Sequence, residues 1–142
     1  MRSPLLLHRV ERILAEPAGQ IPTDDPKRAA RALREALLAV RDSADVISFV
    51  QAYRPDALVP LQHLDRLFAG LLPDRQARWA AQTLVHFVLG FVAEEQNRAE
   101  LLRGGIPAGE PGDDDPLDAF DFGIDAIIAG AAAMGPAPES PG

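Results

Sequence analysis

Six side chains in the middle of this chain have the types that do chemistry: His63, Asp65, Arg66, Gln82, His86 and Glu94. An imidazole can carry a proton near neutral pH. Arg66 offers a fork of donors suited to a carboxylate, phenolate or carbonyl oxygen. Spacing limits what these groups can do together. His86 and Glu94 are eight residues apart, about 12 Å along one helix, too far to chelate one ion as an i, i+4 pair can. No metal and no cofactor are expected. The 142 residues include no cysteine, so there is no thiolate ligand, cysteine nucleophile or disulfide framework. G-x-S-x-G, H-E-x-x-H and a phosphate-cradling glycine loop are also absent. Gly104-Gly105 reads as a helix stop. Without a nucleophile–base pair, a binding role is preferred to an enzymatic one. The enzymatic alternative is acid–base chemistry of the cyclase or isomerase kind. His8, on an exposed first helix, is assigned no role.

The elements that would position these groups are all helical. Ser3-Pro4 opens a helix to about Glu16, and Asp25-Pro26 opens a second with Leu33, Leu37 and Val40 inward. Asp42 to Val50 forms a short third. A fourth starts near Pro60 and carries Leu61, Leu64, Leu67, Phe68 and Leu71 at helical spacing. Asp74 to Arg103 is a long central helix, about 45 Å from end to end. An acidic loop, Ile106 to Pro116, precedes a last helix to about residue 134, and 135–142 is a disordered tail. The expectation is one all-α domain, residues 1–134, of about six helices.

The central and last helices are apolar on more than one face. Leu84, Phe87, Val88, Phe91 and Val92 make one full stripe, flanked by Val85 and Leu89. Phe120, Ile124, Ile127 and Ile128 make another, beside a row of small residues, Ala119, Gly123, Ala126, Gly130 and Ala133. Such helices bury more than one side. Two from each of two copies would close a four-helix bundle, with Leu84, Phe87, Phe91, Phe120, Gly123, Ile124, Ile127 and Gly130 at the interface. Gly90 is read as a point where another backbone approaches.

Charge narrows the partners. A net charge of −7 argues against direct contact with nucleic acid, whose affinity rests on Lys and Arg at phosphates. Lys27, Arg28, Arg31, Arg34 and Arg41 are interleaved with Asp24, Asp25, Glu35 and Asp42, and read as a solvated face. No run is long enough to span a membrane, and Leu5-Leu6-Leu7 is cut short by His8-Arg9. A cytoplasmic location is expected.

His86-Phe87-Val88-Leu89-Gly90-Phe91-Val92-Ala93-Glu94-Glu95-Gln96 and Phe120-Asp121-Phe122-Gly123-Ile124-Asp125-Ala126-Ile127-Ile128-Ala129-Gly130 resemble the two dimer-forming helices of the tetracycline-repressor (TetR) family's C-terminal domain. Ala36-Leu37-Leu38, Arg41 to Val46 and Arg54-Pro55 resemble it too, so the similarity runs from about residue 5 to 134. The resemblance implies transcriptional regulation by a ligand, through a homodimer with a chamber for a small organic molecule. By resemblance the chamber lies between the second, fourth and central helices. Its wall would be Leu33, Leu37, Ile47, Leu67, Val85 and Leu89, with His63, Arg66, Gln82, His86 and Glu94 as polar points. From the residues alone His86 reads more readily as a core histidine, and His63 and Arg66 equally as ordinary surface. Tetracycline-binding members hold a magnesium–drug chelate partly through a histidine after Ala-x-Val; Ile47 stands there here, which implies metal-free binding of a largely apolar ligand. No segment matches the family's helix-turn-helix head, so a headless domain is expected, without direct DNA binding. The alternative is a stand-alone relative that sequesters or cyclises a natural product.

Overall fold

The computed structural model describes residues 21–22, 24–53, 63–107 and 115–135. The expected first helix, the start of the fourth, most of the acidic loop and all but the first residue of the tail lie outside them. Among the described residues every regular element is helical: α1 (Pro26–Leu38), α2 (Ser43–Tyr53), a one-turn 3₁₀ helix (His63–Arg66), α3 (Asp74–Arg103) and α4 (Pro116–Met134). No helix among them is long and apolar enough to cross a membrane. The regular helix expected through Leu71 is replaced there by the 3₁₀ turn and further turns.

Local chemistry sets the helix ends. Asp25 caps α1, its carboxylate accepting from the N–H groups of Lys27 at 2.9 Å and Arg28 at 3.4 Å, with Pro26 at the first position. Those N–H groups have no partner inside the helix, which is why an Asx cap stabilises it. Asp115-Pro116 repeats the device at α4, where Asp115 accepts from Leu117 N at 2.9 Å. At the far end of α3 the Ile106 N–H donates to Leu101 O and the Gly105 N–H to Leu102 O. Gly105 sits at φ 75°. This is a Schellman stop, and the left-handed position suits a residue without Cβ.

Helix α3 is the axis of the molecule, touching α1, α2, α4 and the 3₁₀ turn. Its buried residues Ala77, Ala81, Leu84, Val85, Val88, Leu89 and Val92 recur at helical spacing. They meet Leu33 and Leu37 of α1, Ile47 of α2, Leu64 and Phe68 around the 3₁₀ turn, and Phe120 and Ile124 of α4 in one core. Phe87, Phe91 and Phe120 form an aromatic triangle with centroids 5.2 to 5.8 Å apart. The Arg34 guanidinium lies over the Phe120 ring at 5.5 Å.

The basic row is largely solvent-exposed, as expected, but it is also paired across helices. Arg31 and Lys27 pair with Asp121 and Asp125 of α4. Arg34 makes a bidentate bridge to Glu95 of α3, at 3.0 and 2.8 Å, and Arg41 pairs with Glu100. Sequence spacing missed this because the partners lie 59 to 98 residues away.

Candidate ligand cavity

Helix α2 is built around small residues where it faces α3. Ser48 and Ala52, one turn apart, stand opposite His86, Leu89 and Gly90, and the space between holds about 290 Å³. Gly90 contributes by omission: a Cβ placed there would meet nothing within 4 Å. The walls are aliphatic apart from the Ser48 hydroxyl and the exposed His86 imidazole. All of its lining residues but Leu89 are exposed, so this is an open groove, which can seat a small apolar body and orient it with one or two hydrogen bonds.

Of the expected wall, the structure brings Leu89 and His86 to this cavity. Leu33, Leu37, Ile47, Leu67 and Val85 are instead buried in the protein's own core. Their apolar stripes point inward, as expected. His63 and Arg66 are exposed on the 3₁₀ turn, and Gln82 is exposed on α3. Glu94 is exposed and lies 3.8 Å from Arg98, one turn on. Asp65, between His63 and Arg66, is half-buried, and its carboxyl is pushed above the usual range by burial, against the lowering pull of Arg78. Ser48, Ala52 and Gly90 were not singled out as lining. Their only signal was small size, and Gly90 was read as making room for a helix.

A second, larger hollow of about 410 Å³ opens between α3 and α4. Trp79, Thr83 and Ala80 form one wall, and Ala126, Gly130 and Met134 the other. Trp79 is 55% exposed, Met134 78%, and Phe122 on the same helix 77%. The residues expected at a dimer interface divide here. Leu84, Phe120 and Ile124 are buried inside the single chain, so their burial needs no second copy. Phe87, Phe91 and Ile127 are half-buried against the same core. Gly123 is small because a Cβ there would overlap the Phe87 ring of its own chain, whereas Gly130 faces open space.

The model of the tetracycline repressor-like C-terminal domain matches residues 22–107. No curated protein sequence matches. Among solved structures, Mycobacterium smegmatis BioQ is 29% identical, covering 92% of this chain and 74% of that one, with a TM-score of 0.74. A TetR variant from Acinetobacter baumannii AYE, in complex with minocycline, is 26% identical over 94% of this chain and 73% of that one, with a TM-score of 0.70. A further BioQ structure is 28% identical over 90% and 70%, with a TM-score of 0.65. The resemblance seen in the sequence therefore holds at the level of fold and family: this chain belongs to the tetracycline repressor-like C-terminal domain family.

Proposed function

We propose that this domain is the ligand-sensing and self-associating part of a TetR-type transcription regulator working in the cytoplasm. Its ligand is a small, largely apolar organic molecule. The observation that carries the reading is the hollow between α2 and α3, where small residues on facing helices leave about 290 Å³ beside a single imidazole. His86 and Ser48 orient the ligand, and Leu89, Ala52 and Gly90 set its width. Binding uses no divalent cation, since the position where tetracycline-binding relatives place a histidine is Ile47, buried in the core. The solved minocycline complex of a TetR relative supports a ligand-binding role in general, not a tetracycline in particular.

Self-association rests on the other hollow. Trp79 and Met134 are exposed beside the small residues Ala126 and Gly130, and Phe122 is exposed on the same helix as Met134, apolar surface that an interface would cover. A second copy related by a two-fold axis would present its own Phe122 to this groove.

Native mass spectrometry of the chain purified from its source cells, in EDTA, tests both parts. The expected result is a dimer carrying an organic mass that Gly90→Leu removes without dissociating the dimer. A monomer without bound mass would sink the reading.

A further inference from the structure

One side chain of α3 ties both neighbouring helices to it. Gln96 Nε2 donates to Val40 O at 2.9 Å and to Leu37 O at 3.1 Å. Its Oε1 accepts from Ala44 N at 3.3 Å. Leu37 O lies in the last turn of α1 and Val40 O just beyond it, each also accepting a backbone N–H, and the Ala44 N–H lies in the first turn of α2. Both ends leave backbone groups without helical partners. A single amide thus caps two helices at once, which a carboxylate or an amine could not do, because it needs donors and an acceptor together.

The surroundings make this a pivot. Ala44 and Ser43 are fully buried, so water does not replace a lost bond at the Ala44 N–H. Asp42, between the two capped ends, sits at φ 61°, the left-handed region that Asp enters more readily than most non-glycine residues. Ser43 Oγ adds a bond to Leu37 O at 2.5 Å. From Ala44, Ser48 is one turn on and Ala52 two turns on. Gln96 therefore bonds the first turn of the helix that forms one cavity wall to the helix that forms the other.

We infer that Gln96 is the positioning residue of the α2–α3 cavity and couples its occupancy to the α1–α2 turn. This rests on the ligand-sensing reading of that cavity. Coupling is reciprocal: if the Gln96 bonds hold the wall in its binding position, an occupant must in turn hold those bonds.

The test uses fluorobenzene as probe, followed by ¹⁹F NMR, with hydrogen exchange of the 43–47 amides as a second readout. Gln96→Met keeps the length and removes donors and acceptor. Ile124→Val trims the core on α4 and serves as a control of similar destabilisation. In the parent, the probe is expected to slow exchange at 43–47. Gln96→Met should bind about fivefold more weakly, the factor one net hydrogen bond is worth, and lose the probe-dependent protection. Ile124→Val should retain parent affinity. Parent-like affinity in Gln96→Met, or equal weakening in both variants, overturns the inference while the cavity stands. Gly90→Leu, which fills the cavity, separates the other failure: if it binds the probe like the parent, the probe sits elsewhere, and the cavity reading falls together with the coupling.

Discussion

Helices α3 and α4 meet along a seam that presents a closed face at one end and an open face at the other. The closed face packs Phe87, Phe91 and Phe120 together, with Arg34 laid over the Phe120 ring and bridged to Glu95. The open face exposes Trp79 and Met134 beside a hollow walled on α4 by Ala126 and Gly130. Two glycines seven residues apart, and so on the same side of α4, show the difference. Gly123 on the closed face is where it is because Phe87 occupies the space a Cβ would take, while Gly130 on the open face has nothing near it. The same residue type answers to its own chain in one place and to no atom of that chain in the other. A row of small residues along one side of a helix therefore need not have one cause, and each member needs its own explanation.

The closed face should be the costly one to damage. Phe120 is fully buried in the aromatic triangle, so Phe120→Ala should lose about 3–5 kcal/mol, a large share of the stability of a domain this size. Urea unfolding followed by circular dichroism measures it. A loss under about 1 kcal/mol would mean the triangle is loosely packed.

Next in size is the pair of glycines. Gly123→Ala must displace Phe87 and should cost about 1–3 kcal/mol by overpacking. Gly130→Ala meets nothing and should raise the stability of the isolated chain by up to about 1 kcal/mol, because alanine is the better helix former. Gly130→Leu should leave the fold intact and shift association, read by light scattering. Equal destabilisation by both alanine substitutions would erase the distinction between the faces.

The open and closed faces were unequally legible in the sequence. The 30-residue span of α3 and its glycine stop could be read from a Pro-Asp start, unbroken periodicity and Gly104-Gly105, all local signals. That Leu84, Phe120 and Ile124 are inside one chain could not, because a helix apolar on two sides does not say which side meets its own chain. The cavity was half legible: His86 and Leu89 followed from the resemblance, while Ser48, Ala52 and Gly90 do their work by being small. Gln96 carried no periodic signal, since its partners are main-chain atoms 52 to 59 residues away.

The smallest effect concerns the ion pairs at the edge of the closed face. The Arg31 guanidinium, hydrogen-bonded to Asp121, holds that carboxyl below the usual range, and Arg41 does the same to Glu100. A carboxylate whose folded value is lowered contributes stability that is complete above its unfolded value of about 4 and is lost as pH falls through the folded value. Both pairs are partly exposed, so the contribution is modest and salt should reduce it further. In a melting series, Arg31→Met should lie below the parent by a constant margin from pH 8 to about 5, and the gap should close on further acidification. Trp79, Phe122 and Met134 carry no group that titrates in this window, so association through the open face should outlast the loss of the α1 pairs. If the chain associates through the open face, acid should separate the two, with loosening of α1 preceding dissociation. A gap that stays open at low pH would show that Arg31 stabilises through packing of its stem, not through its charge.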